Sequence, residues 1–443
     1  MLQIKLTDKA PSIAETASVL TRHTQQFGVP MDFDRMVEYF SYYTLKGEKI
    51  KRRIAAYIMP NEATRKPLTE ELFRQFLISN RSTEGLLLTK GGKLSLSGDS
   101  IQAAIDTGLH RPEIVSLMKL YDEAAGYLHK VSMLPEIIDN CRISPIETWD
   151  NHRLAMVKPI WVPQNTGRLG ARNPGIMNFD KEILDIFTIP KGWIWFEADS
   201  GQIEPRLLQS YLIGDPLLKK CTMTYNDAYY GYLHYCTVLT DAERRDPNTV
   251  IKPLKITDEL VEKRSKFKTF GNAVMYGSTE NRVNDPDKAA FIEILGKHPN
   301  RLRIVRDIEK RILNGERVFK TVFGTEINIT SGPSEDNYKD KTSDAYFSHL
   351  NKCALNNPIQ GTAADLMRMS VAYADRLLMR KAPCSAIMMY VHDSGKFAIH
   401  ENEYNNVIDE LKEITAYQVE DWVPIYCDPK EGVHKGELKR FIA

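Results

Sequence analysis

Two aspartates in the 443-residue sequence stand where a hard cation could be held. Asp199 closes an aromatic and β-branched run from Gly192 through Trp193, Ile194, Trp195, Phe196, Glu197 and Ala198, and is followed by Ser200 and Gly201. Asp393 follows a second apolar run, Ile387 to Val391, and comes directly after His392. Carboxylate and carbonyl oxygens at exposed strand ends suit such an ion, but a strand-ending Asp taken alone reads equally well as a turn former or a helix cap. Between the pair lies a second constellation, Arg264, Lys268, Asn272 and Tyr276. A step of four residues on a helix turns about 400°, so these positions drift only about 40° per step and share a face. Two cations one turn apart could hold a triphosphate, Arg in bidentate fashion and Lys as a point charge, with an aromatic ring beyond to stack on a base. A basic amphipathic helix with Tyr276 in a core is the alternative. A third segment, Asn356 to Asp365, brings the small residues Gly361, Ala363 and Ala364 together with Gln360. Its smallness admits another backbone, either a bound strand that Gln360 could reach or a neighbouring helix.

Several elements must position these groups. The run 192–198 predicts a strand, with a helix starting near Glu204 and Pro205, since Pro suits the first helical position. Residues 210–350 read as mostly helical and charged. A further helix is expected to start at Asn356, Asn357 and Pro358. The runs 387–391 and 396–399 predict a β-hairpin around a short turn containing Gly395, with His392 and Asp393 at its tip. Upstream, residues 1–30 read as helix and loop and 85–102 as turn-rich; 112–138 reads as helix, and 155–157 and 160–162 as strands.

Bulk properties restrict the class. The length suggests two to four structural units. No apolar run approaches the ~18 residues of a membrane span, and the N-terminus lacks the apolar core of a secretory signal. Six scattered cysteines without a C-x-x-C pair argue for free thiols in a reducing, cytoplasmic setting and against structural zinc. Net charge is only +1, yet residues 261–320 carry 14 Lys and Arg against 8 Asp and Glu, enough local excess to track phosphates or to form a solvated helical face.

Taken in order, the segments resemble the motifs of family A, polymerase I-like DNA polymerases. Asp199-Ser200-Gly201-Gln202-Ile203-Glu204 with Arg206 is similar to D-x-S-Q-I-E-x-R, and Arg264, Lys268, Tyr276 and Gly277 to R-x-x-x-K-x-x-x-x-x-x-x-Y-G. Asn356 to Asp365 resembles N-x-P-x-Q-G-T-A-A-D, and Val391-His392-Asp393 resembles V-H-D. Upstream, Thr166-Gly167-Arg168-Leu169 with Pro174 and Asn178 is similar to T-G-R-L-S-S-x-x-P-x-x-x-N, and Gly28 to Asp32 to G-I-x-V-D. The matches run from about residue 28 to the C-terminus.

The resemblance implies an α+β right-hand fold with an antiparallel palm sheet, helical fingers and a helical thumb. The expected division is a leading segment 1–59, thumb 60–144, palm 145–210, fingers 211–349 and palm again 350–443. It further implies template-directed addition of deoxynucleotides to a primer 3′ end with two Mg²⁺ ions, for which Mn²⁺ can substitute. Asp199, Asp393 and the Ser200 carbonyl would hold the metals. Arg264 and Lys268 would grip the triphosphate, Lys268 also giving a proton to pyrophosphate, with Gln202, His234 and Asn272 nearby. Tyr276 would stack at the templating position, and Glu204 would crowd the 2′ position and exclude ribonucleotides. Arg168, Gln360, His392 and Asn356 would contact primer and template. Partners implied are primer-template DNA, deoxynucleoside triphosphates and separate exonuclease or replisome proteins, with no membrane, in a bacterial or phage-infected cell. A polymerase module without a proofreading exonuclease is expected, of the phage or stand-alone type. The sequence departs from the family pattern at Gly201, Pro205, Met177, Ser394 and above all Asn272, where the family has an aromatic residue. Rival readings are a single-subunit RNA polymerase of the same fold and a catalytically inactive subunit that binds primer-template.

Overall fold

The computed structural model describes residues 1–60, 67–89, 92–177, 179–277, 285–330, 340–391 and 393–433, and the backbone of 439–440. At its centre is a five-stranded antiparallel sheet in the order Ala386–Val391, Ser394–His400, Trp193–Ser200, Cys427–Gly432, Lys439–Arg440. The aromatic and β-branched run thus forms the middle strand, paired on both sides. The hairpin forms as expected, except that Gly395 lies in its second strand and not in the turn. Gly395 pairs with Tyr390, and a Cβ there would lie 2.7 Å from the Tyr390 ring, so close packing demands glycine at this position.

One helix of 38 residues, Asp344–Lys381, ties the molecule together. Its first half packs Leu350, Ala354, Leu355 and Ile359 into a helical core drawn mainly from residues 203–366. The second half places Val371, Ala374, Leu377 and Leu378 on the sheet beside Phe196, Ala198 and Phe397. The expectation of a helix start at Asn356–Pro358 is corrected here, because Pro358 is a buried interior residue. A proline inside a helix costs about 3 kcal/mol, and the flanking Leu355 and Ile359, both buried, outweigh it with about 1.5–3 kcal/mol each.

A third core joins Phe73, Leu77, Ile101, Leu117, Met118 and Tyr121 to Ile50, Ile54 and Ala55 of the long helix Phe33–Ile58. One core therefore draws on residues from both sides of residue 60. The region 112–138 divides into two helices, Pro112–Lys130 and Leu134–Asn140. The helix Asp258–Met275 is capped by Thr257, whose side chain accepts from the Leu260 N–H, and opens with Asp258 and Glu259 at its positive end. It buries Phe267, Phe270, Val274 and Met275, with Phe267 and Phe270 meeting the Phe291 ring edge to face. Burial of that face turns Arg264 and Lys268 outward.

Candidate active site

Register brings the two aspartates together. Asp199 has Ser394 and Asp428 as its cross-strand neighbours, and the Ser200 N–H donates to the Asp393 carbonyl at 2.8 Å. Burial and then the negative charge of Asp393 push the Asp199 carboxyl up to about 6, against the opposing pull of Lys430 and Lys396. Two hard anionic donors that repel each other in a half-buried place fit a divalent cation, which would reverse the shift. The Ser200 hydroxyl is turned inward onto the Thr415 carbonyl at 3.0 Å, leaving its backbone carbonyl as the group it can offer. Gly201 fits closely: its N–H donates to the Tyr426 carbonyl at 2.8 Å, and a Cβ would lie 3.1 Å from that oxygen.

Beneath the aspartates lies a charge pair the sequence did not suggest. Lys396 stands opposite Glu197 in register and is 2% exposed. Its ammonium donates to the Ser394 hydroxyl at 2.8 Å and lies 3.4 Å from the Glu197 carboxylate. Burial pulls the ammonium down from its ordinary value, opposed by Glu197 and Asp199.

On the helical side, Asp227 is a hub. Its Oδ2 accepts from Arg264 Nε at 3.0 Å and Nη2 at 2.7 Å, and from Gln202 Nε2 at 2.5 Å; its Oδ1 accepts from the Tyr230 N–H at 2.8 Å. Gln202 Oε1 in turn accepts from the Ala228 N–H at 2.6 Å, and Gln202 itself sits at φ +57°. Glu204 is held on both oxygens, by Arg168 and by the Tyr276 hydroxyl at 2.9 Å. Burial and the Glu204 charge raise Tyr276 far above the usual phenol range. Lys268 is exposed and has no ion partner among the described residues.

His234 does not join this group. It is buried, its Nδ1 taken by the Tyr225 hydroxyl at 2.7 Å. The residues beside Arg264 are Tyr229 and Tyr230, whose ring centres lie 5.4 and 5.6 Å from its guanidinium. His234 follows Tyr229 by five positions, about 140° round the helix, and a π-turn over His234–Val238 carries it into the core. Tyr229 is the site residue that motif reading missed; its hydroxyl accepts from Asn272 Nδ2 at 3.2 Å. Arg206 was quoted in a motif without a role. It is buried and donates to the carbonyls of Gly201, Pro424 and Asn226, closing the turn behind Asp199.

In the third segment, Gln360 and Asn356 are half-exposed on the long helix. Gly361 is there for close approach: a Cβ would meet Thr321 at 2.7 Å and the Thr166 carbonyl at 3.3 Å. The neighbour that its smallness admits is therefore a loop and a hairpin of this same chain. Arg368 completes that junction, donating to the Gly167 carbonyl at 2.8 Å and pairing with the buried Asp365, so the turn before Arg168 is fixed by the long helix. His392 and Asn178 lie outside the described residues. A separate cluster, Asp32, Asp150 and His152, has ligand atoms within 4.8 Å of one another. Arg35 already sits in it, 3.3 Å from Asp32 and 2.8 Å from Asp150.

The chain is similar to known proteins over most of its length. The model of DNA polymerase family A matches residues 66–437. A thermostable DNA polymerase I from Thermus filiformis is 25% identical over 264 residues, covering 56% of this chain and 28% of that protein. DNA polymerase I from Chloroflexus aurantiacus is 25% identical over 385 residues, covering 84% of this chain and 37% of the relative. Among solved structures, the POL domain of Pol1 from M. smegmatis, in complex with DNA primer-template and dNTP, superposes with a TM-score of 0.69 at 17% identity, over 96% of this chain and 69% of that one. The chain thus spans about a third of the length of these curated relatives.

Proposed function

From the premise that this chain belongs to DNA polymerase family A, whose fold it has, we propose that it is a template-directed DNA polymerase extending a primer 3′ end with deoxynucleoside triphosphates. The observation that carries the reading is the meeting of Asp199 and Asp393 at one end of the sheet, with the segment that follows Asp199 tied to the helical side through Gln202–Asp227–Arg264 and Glu204–Tyr276. Asp199, Asp393 and the Ser200 carbonyl would hold Mg²⁺, which when bound activates the primer hydroxyl and neutralises charge on the leaving pyrophosphate. Arg264 and Lys268 hold the triphosphate, and Lys268 carries the proton for the leaving group. Tyr276 supplies a face for the base. Glu204, clamped by Arg168 and Tyr276, stands rigidly on the sugar's 2′ side and excludes ribose. Arg168, Gln360 and Asn356 contact primer and template, and the resemblance of Val391-His392-Asp393 to V-H-D assigns His392 the same role.

In this reading the sheet with the second half of the long helix is the palm, the helical core around Asp258–Met275 the fingers, and the core drawn from residues 50–124 the thumb. Primer extension with Mg²⁺ tests it, using deoxy- and ribonucleotides in parallel. Wild type should extend with deoxynucleotides, and Glu204→Ala should raise ribonucleotide use about tenfold or more, as loss of a steric block does. Binding of duplex without any extension would make the chain a binding subunit instead. Equal use of both sugars by wild type would favour an RNA polymerase.

A further inference from the structure

Glu204 and Tyr276 meet, but they belong to separate elements. Glu204 is in the short helix Ile203–Leu208, which runs on into a π-turn at Gln209–Ile213, and Tyr276 follows the last residue of the helix Asp258–Met275. The C-terminal ends of both elements are gripped by two adjacent residues of a third, the helix Pro299–Leu313. Asn300 Nδ2 donates to the Ile213 carbonyl at 2.8 Å, where the first element ends. Arg301 donates from Nη2 to the Val274 carbonyl at 3.0 Å and from Nε to the Met275 carbonyl at 3.4 Å, where the second ends. Its Nη1 donates to the Gly296 carbonyl at 2.6 Å.

Arg301 is buried, and burial pulls its guanidinium down from its ordinary value. No carboxylate pairs with it among the described residues. Its partners are carbonyls at the C-terminal ends of two helical segments, where unpaired acceptors and the helix dipole both offer negative charge. A buried cation is costly unless several acceptors meet it at once, and a planar fork can span both segments where a Lys ammonium, a single point, cannot. Beyond Met275 the chain leaves the helix through Gly277, at φ +106°, whose N–H also donates to the Val274 carbonyl at 3.0 Å. The guanidinium thus fixes the backbone from which Tyr276 springs. At the other end of that side chain, the hydroxyl donates to Glu204 at 2.9 Å.

We propose that Arg301, assisted by Asn300, is a positioning residue for sugar selection: by fixing the root of Tyr276 it holds Glu204 where ribose is excluded, while itself buried away from any nucleotide. The inference rests on the polymerase reading above and on the part given there to Glu204. Its logic is mechanical. A carboxylate held by Arg168 alone can swing about that contact, whereas one held also by a fixed Tyr276 hydroxyl cannot. Discrimination between deoxyribose and ribose then depends on a helix that contributes nothing to the site itself.

The test is single-turnover incorporation of a deoxynucleotide against its ribonucleotide by wild type, Arg301→Met and Arg301→Lys, each also made with Glu204→Ala. Arg301→Met keeps the stem and removes the fork. It should lower the preference for deoxy over ribo by about tenfold, the worth of a hydrogen bond from a charged donor, mainly through faster use of the ribonucleotide. Arg301→Lys, which keeps the charge, should shift the ratio the same way by a smaller factor, and it decides the matter if Arg301→Met does not fold. With Glu204→Ala present, neither change should move the ratio further, because the two positions act through one contact. An unchanged ratio in the single variants overturns the proposal, as does an equal loss on both nucleotides, which a merely structural role would give. An equal fall in the ratio with and without Glu204 overturns it too. Failure of wild type to extend at all would instead overturn the polymerase reading.

Discussion

The molecule holds two carboxylate clusters, and they are built differently. In the first, Asp32, Asp150 and His152 surround Arg35, whose guanidinium also reaches Asp185 at 2.9 Å. Asp32 spends its other oxygen on the Arg35 N–H at 2.9 Å, capping the helix Phe33–Ile58. Each acid there has a cation or a cap from the chain itself. In the second, Asp199 is pushed up to about 6 by burial and by Asp393, and the nearby Lys396 ammonium is engaged with Glu197 and Ser394. The first cluster sets a guanidinium among its acids, whereas in the second the Asp199 carboxyl stays raised in spite of Lys430 and Lys396. Unbalanced charge, more than the number of carboxylates, points to where a cation belongs.

The sharpest way to break this comparison is to remove one acid from each cluster. Asp393→Asn should lower primer extension by on the order of 10³-fold or more, the loss expected when a group acting with metal on the reacting atoms is removed. Asp150→Asn should leave extension within about twofold, since it touches only Arg35's surroundings. If the two variants lose activity equally, the assignment of the second cluster as the reactive one is wrong.

Much of the second cluster was legible in the sequence, because strands announce themselves. The run from Trp193 to Ala198 and the hairpin flanking Asp393 are aromatic and β-branched, and their polar ends stand out against them. What could not be read was register: nothing local says that Ser394 and Asp428 pair with Asp199, or that Lys396 is buried against Glu197. On the helical side the i, i+4 spacing of Arg264, Lys268, Asn272 and Tyr276 was visible, but their partners were not, since Asp227, Tyr229 and Glu204 come from elsewhere in the chain. His234 was expected at the triphosphate from the family resemblance alone, and a π-turn over His234–Val238 carries it into the core instead; Pro358 was read as a helix start because proline reads as a breaker unless tertiary burial holds the helix through it. Residue types were readable, and the long-range contacts that give them partners were not.

A smaller effect sharpens the comparison through pH. The folded, metal-free Asp199 has a pKa of about 6, above its unfolded value, so its burial as a carboxylate costs stability as pH rises from about 4 through 6. Asp199→Asn removes that cost. Without metal the variant should be more stable than wild type at pH 7–8, by about 1–2 kcal/mol once solvent screening is discounted, and the gap should close near pH 4. Mg²⁺ must displace the same proton, so its apparent affinity for wild type should fall about tenfold per unit below pH 6. Thermal denaturation with and without Mg²⁺ measures both. A metal-dependent rise in Tm that survives in Asp199→Asn would move the ion elsewhere.

The least effect is expected at His152, where the sign is opposite. Its pKa is raised, first by the hydrogen bond to Asp32 and then against the cost of burial. A raised histidine contributes stability that is fully present below its unfolded value of about 6.5 and is lost as pH rises through the folded value. Its ring is more than a third exposed, so the contribution is a few tenths of a kcal/mol. His152→Gln should therefore be slightly less stable than wild type at pH 5.5 and indistinguishable from it at pH 8.5. Because Arg35 already provides the cation, millimolar Mg²⁺ should leave that small difference unchanged. A difference that grew with Mg²⁺ would show the Arg35 cluster taking up metal in spite of its internal cation, and the contrast between the two clusters would then rest on access and not on charge balance.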